Sequence, residues 1–194
     1  ETHNKEIYSD RIYKSHIYTE EQIKEIETIS LNDVDPKTLE ICFDNLCNLS
    51  CRSCGHIFSS SWYQDQAALA GSDWKQHNKP LNYAGRWETD MWEQLEPHLD
   101  YVEQIYFAGG EPLLMEEHYN ILEELVRRER FDVRLIYNTN FTHTQLKDRS
   151  VFDYWKLFKS VSVGASLDAE GIRAEYIRKG TKWDVILKNR YEML

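Results

Sequence analysis

Three cysteines stand within eight residues of one another, at Cys47, Cys51 and Cys54. Their C-x3-C-x2-C spacing puts three thiols on one short loop, and thiolate is a soft ligand that selects zinc, copper(I) or iron–sulfur clusters. A disulfide framework would instead spread its cysteines to join distant loops. Three thiolates can bind three irons of a four-iron, four-sulfur cluster, whereas a fully ligated cluster takes four. The spacing therefore predicts a cluster with one iron open to an external ligand.

Two other interpretations of the cysteines stay open at this point. A zinc site would need a fourth ligand, and His56 is close enough in sequence to be considered, although the sequence has no second C-x2-C pair. The three thiols can also be free cysteines that cluster by chance. The fourth cysteine, Cys42, falls within a predicted strand, so we expect a buried small apolar residue there rather than a ligand.

Four predicted strands position the polar groups of the sequence, because each strand is followed directly by an unusual polar segment. The strands are predicted near 39–43, 102–108, 133–137 and 161–167. The segments that follow them are 44–54, the Gly-Gly-Glu-Pro run at 109–112, Asn-Thr-Asn at 138–140, and 166–168. Since the carboxyl ends of parallel strands meet at one edge of a sheet or barrel, we expect a single active site there.

The helical patterns alternate with these strands. A capping box, Thr19 with Gln22, opens a predicted helix over 19–29. A helix over 58–70 is expected to stop at Gly71, and 72–86 to form an irregular insertion. Asp90 is expected to cap the next helix, and two further helices are predicted over 116–130 and 145–158. Strands that are apolar on both faces and alternate with helices predict an α/β fold with a helix-covered parallel sheet. Two short helices, separated at Gly180, complete the pattern.

Composition limits the class of partner. The chain has 194 residues, a net charge of −10 and a pI near 5.2, which argues against non-specific binding to a nucleic-acid backbone. The basic cluster Arg127, Arg128 and Arg130 is interpreted as a solvated helix face. No apolar run reaches the roughly 20 residues of a membrane span. We expect no membrane partner and a reducing, cytoplasmic setting for the thiols.

The cysteine loop after the first strand and the Gly-Gly-Glu-Pro run after the second resemble the radical S-adenosylmethionine (SAM) superfamily. The motif Cys-Asn-Leu-Ser-Cys-Arg-Ser-Cys at 47–54 is similar to the cysteine motif of the branch whose members carry SPASM or twitch extensions. The Ser-Leu-Asp run at 166–168 and the segment 175–183 are similar to the twitch-type group. The resemblance extends from about Leu39 to Trp183.

The resemblance implies a partial (β/α) barrel with a parallel sheet and outer helices. It implies that SAM binds the open iron of a [4Fe-4S] cluster and is cleaved reductively to a 5′-deoxyadenosyl radical, which abstracts hydrogen from a peptide, protein or small-molecule substrate. A flavodoxin- or ferredoxin-type protein is the expected reductant. We expect residues 1–37 to be a helical lead-in and 38–194 to be the core, truncated after the fourth strand. An iron–sulfur protein that transfers electrons or senses redox state without SAM is the alternative.

The resemblance also implies roles for single residues. Cys47, Cys51 and Cys54 match the cluster ligands, and the motif that receives the SAM amino group matches Gly109, Gly110 and Glu111. Ser166 matches a SAM-contacting position, and Arg178 an arginine that pairs with the SAM carboxylate. Asn138 and Asn140 either reach the ribose hydroxyls or form turns. Asp168 either faces the ribose or caps a helix.

Three features depart from the family pattern, and one is that only four strands are predicted, so the last part of the usual barrel is missing. The residue before the third cysteine is commonly aromatic and stacks near the adenine, but here it is Ser53. Phe107 and Tyr137 are the aromatic candidates for that contact. No cysteine follows Cys54, so this sequence supplies no ligand for an auxiliary cluster, and we expect a fragment of a longer protein.

Overall fold

The computed structural model describes residues 19–26, 35–82 and 91–194. The chain divides into two units, 1–35 and 36–194. In the first unit, helix α1 (Glu20–Ile26) begins after Thr19. The Thr19 hydroxyl accepts from the Gln22 backbone N–H at 3.2 Å, and the Thr19 N–H donates to the Gln22 side chain at 2.9 Å. The predicted capping box is therefore confirmed, and positions 27–29 of the predicted helix lie outside the described residues.

A four-stranded parallel sheet is the frame of the second unit, and all four predicted strands are present in it. Its strands are β1 (Thr38–Ile41), β3 (Gln104–Phe107), β4 (Arg134–Thr139) and β7 (Ser160–Ala165), in the order β1-β3-β4-β7. Two short antiparallel pairs accompany it: β2 (Ser50–Cys51) with β8 (Arg178–Lys179), and β5 (Gln145–Leu146) with β6 (Arg149–Ser150).

Six helices and three short 3-10 turns lie along the described part of this unit. The helices are α2 (Tyr63–His77), α3 (Met91–Leu95), α4 (Glu116–Arg127), α5 (Val151–Trp155), α6 (Gly171–Ile177) and α7 (Trp183–Met193). The 3-10 turns are Ser60–Trp62, Glu96–Asp100 and Pro112–Leu114. Among the described residues no helix is long and apolar enough to cross a membrane.

The hydrophobic core lies between one face of the sheet and the helices. Alternate side chains of the central strands point to that face, because successive residues of a strand face opposite ways. The fully buried residues of β3 and β4 are Ile105, Phe107, Leu135 and Tyr137. The apolar stripe of α4, Ile121, Leu122 and Leu125, is fully buried in the same cluster. This packing fixes the strand ends from which the polar segments leave.

The opposite face of the sheet does not match the prediction that the strands are apolar on both sides. Arg134 and Asn138 of β4 are exposed, as are Glu40 in β1 and Ser160 and Ser162 in β7. The apolar residues of these strands are concentrated on one face, and the described helices of the core cluster pack against that face. The prediction of a parallel sheet is confirmed, and the prediction of two apolar faces is wrong.

One predicted helix end is confirmed, and two other helix predictions are wrong. Gly71, with a non-helical φ of +85°, interrupts Tyr63–His77 where the stop was predicted, but 72–77 forms a second helical segment and not an irregular insertion. The predicted helix over 145–158 is replaced by the β5–β6 hairpin, with Lys147 at φ +57° in its turn, followed by α5. Asp90, the predicted cap of α3, and positions 83–86 lie outside the described residues.

The predicted solvated face holds for Arg127, whose side chain is 66% exposed, but is wrong for Arg128 and Arg130. The Arg128 side chain is 14% exposed and lies 3.1 Å from Glu96 and 2.8 Å from Asp100. Arg130 donates to the Val102 carbonyl at 2.6 Å. These cations bind the end of α4 to the segment that precedes β3, so they are structural.

Candidate active site

A cavity of about 270 Å³ lies at the carboxyl ends of the parallel strands. This volume is slightly below the usual range for small-ligand sites, about 300–1,000 Å³. Nine of the eleven predicted site residues line it. They are Cys47, Cys51, Cys54, Gly109, Gly110, Asn138, Asn140, Ser166 and Arg178. The fold therefore brings together residues that are separated by up to 131 positions in sequence, between Cys47 and Arg178.

Side chains of the segment after Cys54 hold the backbone of the cysteine loop. The Ser61 hydroxyl donates to the Cys47 carbonyl at 2.6 Å, and the Ser59 hydroxyl donates to the Leu49 carbonyl at 2.7 Å. Trp62 Nε1 donates to the Cys51 carbonyl at 3.0 Å. Because each of these carbonyls has a side-chain donor, the loop is fixed without a helix or a long strand.

The segment around β8 holds the other side of the loop. Cys51 is opposite Arg178 in the β2–β8 pair, and the Arg52 N–H donates to the Ile177 carbonyl at 2.8 Å. The Arg52 guanidinium lies 3.9 Å from the ring centre of Tyr176, a cation–π distance. The two short strands thus place Arg178 beside the second cysteine.

Polar side chains surround two of the thiols. Asn140 Nδ2 donates to Cys47 Sγ at 3.7 Å, and Arg178 Nη1 donates to Cys51 Sγ at 3.8 Å. Burial raises the pKa of both thiols, and Arg178 acts in the opposite direction on the pKa of Cys51. Donors near sulfur stabilise a thiolate and tune a cluster bound by it. This donor set fits an iron–sulfur cluster held by the three cysteines.

The arrangement of ligands bears on the kind of metal site. Among the described residues, no group of three or more His, Cys, Asp or Glu side chains that could hold a metal ion is found, and this applies to the three cysteines as well as to the zinc alternative with His56. Zinc needs all its ligands within about 2.0–2.3 Å of one ion. The thiolates of a four-iron cluster bind different irons, so they need not converge in this way.

The Gly109-Gly110 turn packs directly against the start of the cysteine loop. The Gly110 N–H donates to the Asp44 carbonyl at 3.2 Å, and the Glu111 N–H donates to the Leu46 carbonyl at 2.6 Å. A Cβ on Gly110 would lie 2.2 Å from the Leu46 oxygen, and one on Gly109 would lie 2.1 Å from Cys42 Sγ. These glycines therefore permit a close approach of two backbone segments.

Glu111 lies behind the cavity wall. Its side chain is fully buried, and its carboxylate accepts from the Thr139 hydroxyl at 2.6 Å, the Asn140 N–H at 2.6 Å and the Leu113 N–H at 3.2 Å. Burial raises the pKa of this carboxyl to about 7, against the opposing effect of the three donors. Glu111 thus joins the turn after β3 to the end of β4. Its contact with SAM stays a prediction.

The two asparagines at the end of β4 have different surroundings. Asn140 is buried, and its side-chain Oδ1 accepts from the Thr142 N–H at 3.0 Å and from the Thr142 hydroxyl at 2.6 Å, so this asparagine forms the turn. Asn138 is exposed on the polar face of the sheet, where its amide donates to the Tyr106 hydroxyl. Asn138 is therefore the asparagine with the more accessible side chain in the cavity.

Asp168 does not line the cavity but lies beside a residue that does. Arg178 Nε is 2.7 Å from Asp168 Oδ2, an ion-pair distance, although the N–H does not point at the carboxylate. Asp168 has a φ of +62°, and α6 begins after Glu170, so the helix-cap interpretation of Asp168 is wrong. Ser166 lies nearby in the cavity wall, with its N–H donating to the Thr139 carbonyl at 2.8 Å.

Three sequence interpretations of aromatic and thiol side chains need correction. Phe107 and Tyr137 are fully buried in the core face of the sheet, so neither can contact an adenine in the cavity. Cys42 is exposed and not buried. Phe58, which sequence reasoning missed, is 68% exposed and lines the cavity together with Ser53. An aromatic residue this close to the cysteines in sequence could have indicated that Phe58 lines the site.

A second cavity, of about 260 Å³, adjoins the first and shares Phe58, Gly109 and Gly110 with it. Its other lining residues are Cys42, Asp44, Asn45, Ile57 and Asn82. Two polar groups in it are largely buried, Asp44 and Asn45. Sequence reasoning did not anticipate this cavity.

Comparison with protein-family models and with curated proteins gave no match for this chain. Among solved structures, the chain is similar to SuiB from Streptococcus suis, whose crystal structure was determined with S-adenosylmethionine bound. The two are 17% identical with a TM-score of 0.47, and the match covers 97% of this chain and 38% of the SuiB chain. At that level the likeness carries no statement about what this chain binds.

Proposed function

We propose that this chain is part of a radical SAM enzyme, in which Cys47, Cys51 and Cys54 bind a [4Fe-4S] cluster and SAM binds the open iron. The observation that carries the proposal is the cavity at the sheet edge. Three thiols line it together with six other residues that the sequence had assigned to the cofactor. Thiolates that leave one iron open are suited to a catalytic cluster.

When bound, the cluster supplies the electron that cleaves SAM to methionine and a 5′-deoxyadenosyl radical, which takes a hydrogen atom from the substrate. The residues of the chain bind, orient and shield these groups. Arg178 is cationic and suited to the SAM carboxylate, and the accessible amide of Asn138 is suited to ribose hydroxyls. Gly109, Gly110 and Glu111 form the motif proposed to receive the SAM amino group, and the buried Glu111 side chain supports this turn through its bonds to the end of β4.

The wider context of the activity belongs to the same proposal. We assign the chain to the SPASM or twitch branch on its motifs, with residues 38–194 forming the core and 1–37 a lead-in. The substrate class is a peptide, a protein or a small molecule. A flavodoxin- or ferredoxin-type protein is the proposed reductant, in the cytoplasm.

Electron paramagnetic resonance of the anaerobically reconstituted, reduced protein tests this function. A signal typical of a reduced [4Fe-4S] cluster that changes when SAM is added is the expected result, because SAM would then reach the open iron. A cluster signal indifferent to SAM would assign the chain to the electron-transfer or redox-sensing alternative. Zinc in place of iron would overturn the proposal.

A further inference from the structure

The second cavity contains a carboxyl group that the proposed cofactor chemistry does not use. Asp44 lines the cavity and is 8% exposed. Its Oδ1 accepts from the Leu46 N–H at 2.6 Å, and among the described residues no donor is found for Oδ2. Oδ2 is not among the buried atoms that lack a partner, so this oxygen is accessible from the cavity and is a candidate for binding a ligand there.

Among the described residues, the charged groups that shift the pKa of Asp44 and Cys42 are carboxylates. Burial raises the pKa of Asp44, and the nearby Glu117 raises it further. Burial also raises the pKa of Cys42, and Asp44 and Glu40 add to the shift. No basic side chain is among the described residues that line the cavity. A cationic group that entered here would be attracted to Asp44, whose carboxylate is in the cavity wall.

The remaining walls are suited to an aliphatic chain. Ile57 and Phe58 line the cavity and are 65% and 68% exposed, so each has apolar surface to cover. At about 260 Å³ the cavity is smaller than the usual drug-sized site, which favours a ligand group the size of one side chain. Lysine combines an apolar stem with a charged head in this way.

We propose that the second cavity binds an aliphatic chain ending in a protonated amine, such as a lysine side chain, whose ammonium donates to Asp44 and whose stem packs on Ile57 and Phe58. The cavity shares Phe58 and the Gly109-Gly110 turn with the first cavity, so the bound chain lies next to the proposed cofactor. That the amine belongs to the substrate rests on the proposed function; the binding of the amine does not.

Cys42 lines this cavity and is an exposed free cysteine, so its rate of chemical labelling reports on what enters the cavity. Cys42 labelling by cationic 2-aminoethyl methanethiosulfonate and anionic 2-sulfonatoethyl methanethiosulfonate is followed by peptide mass spectrometry. We expect the cationic reagent to react roughly tenfold faster, because the Asp44 carboxylate in the cavity wall attracts cations and repels anions. N-acetyl-lysine methylamide should slow the labelling, whereas N-acetyl-norleucine methylamide, which lacks the amine, should not. Equal rates with the two reagents, or equal protection by the two amides, would overturn the proposal.

The Asp44→Asn variant assigns the effect to one residue. Its side-chain oxygen can still accept from the Leu46 N–H, so the loop should keep its fold, while the charge is removed. We expect the rate difference and the protection by lysine to be lost. Asp153→Asn, a matched change at an exposed residue of α5, should keep both. A variant at Asp44 that still discriminates would contradict the proposal.

Two comparisons separate the remaining possibilities. Butylamine is tested beside N-acetyl-lysine methylamide. Protection of Cys42 at a lower concentration of butylamine would indicate a free amine as the ligand, and protection at a lower concentration of the lysine amide would indicate a lysine of a peptide. The labelling requires neither SAM nor reduction. A cluster signal that does not change with SAM would therefore contradict the proposed function without contradicting the amine site. Equal labelling of Cys42 by the two reagents would contradict the amine site without contradicting the proposed function.

Discussion

The two faces of the four-stranded sheet differ in both chemistry and surroundings. One face carries Ile105, Phe107, Leu135 and Tyr137, all fully buried against the helices. The other face carries exposed side chains, with Glu40, Arg134 and Ser162 among them. Parallel sheets usually have both faces covered and apolar, so a polar second face is unusual. The polar face leads, through Asn138, into the cavity that the cysteines line.

This difference separates stability from chemistry within one sheet. Burial of large apolar side chains is the dominant favourable contribution to folding, and here it belongs to the helix-covered face. The residues suited to a cofactor belong to the strand ends, where the two loops meet. Substitutions on the helix-covered face should therefore lower the stability of the protein, and substitutions at the strand ends should leave the fold intact but abolish cofactor binding.

The largest effect is expected at the strand ends, from Cys51→Ala. This variant should lose the cluster entirely, because the loop would retain only two thiolates. Cys42→Ala, a change of the same type at the exposed cysteine, should keep the iron content of the reconstituted protein. Iron and acid-labile sulfide are measured in both. Equal iron in the two variants would contradict the ligand assignment.

On the covered face, Leu135→Ala should lower the free energy of unfolding by about 2–5 kcal/mol, since it leaves a cavity in a packed core. Denaturant titration measures this loss. The cluster signal of the folded fraction should be unchanged. Loss of less than about 1 kcal/mol would show that this face is not the main stabilising one.

Glu111 combines properties of both faces, because it is buried like the core yet lies at the strand ends. Its folded-state pKa, about 7, lies above the ordinary value of 4.5, so the native state keeps a proton that the unfolded state loses between these pH values. The resulting contribution to stability is present below about pH 4.5 and falls by about 3 kcal/mol as pH rises to about 7.

The Glu111→Gln variant isolates this contribution. Unfolding free energies of the parent and the variant are measured across the same pH range. As pH rises, the unfolding free energy of the parent should fall relative to that of the variant. A difference independent of pH would mean that Glu111 titrates normally in the folded protein.

The smallest effect is expected from Ser162→Ala on the exposed face. The free energy of unfolding should change by less than about 0.5 kcal/mol, because the hydroxyl lies at the surface. Thermal or denaturant unfolding checks this value. A loss comparable to that of Leu135→Ala would remove the distinction between the two faces.

The sequence predicted the parts of the fold that depend on local patterns. The four strands, the capping box at Thr19 and the meeting of the polar segments all followed from periodicity and from the rule for parallel strand ends. Seven of the nine assigned residues reached one cavity because they follow strands of one sheet, whereas Asn138 lies within β4 and Arg178 is placed there by the β2–β8 pair. Their chemical roles are proposals that these patterns cannot test.

The remaining features depend on neighbours that are distant in sequence. The role of Gly110 could not be read locally, because the atom that excludes a side chain there is the Leu46 oxygen. The burial of Glu111 depends on donors from β4, and the hairpin before α5 replaced a segment with helical composition. The exposure of Cys42 required knowing that its face of the sheet is polar.

The most direct test of the central claim is the detection of 5′-deoxyadenosine by mass spectrometry. The anaerobically reconstituted protein is reduced and incubated with SAM, with the Cys51→Ala variant treated in parallel. We predict 5′-deoxyadenosine and methionine from the parent protein and none from the variant. A parent protein that carries its cluster and forms no 5′-deoxyadenosine, or a Cys51 variant that forms as much as the parent, would contradict the account.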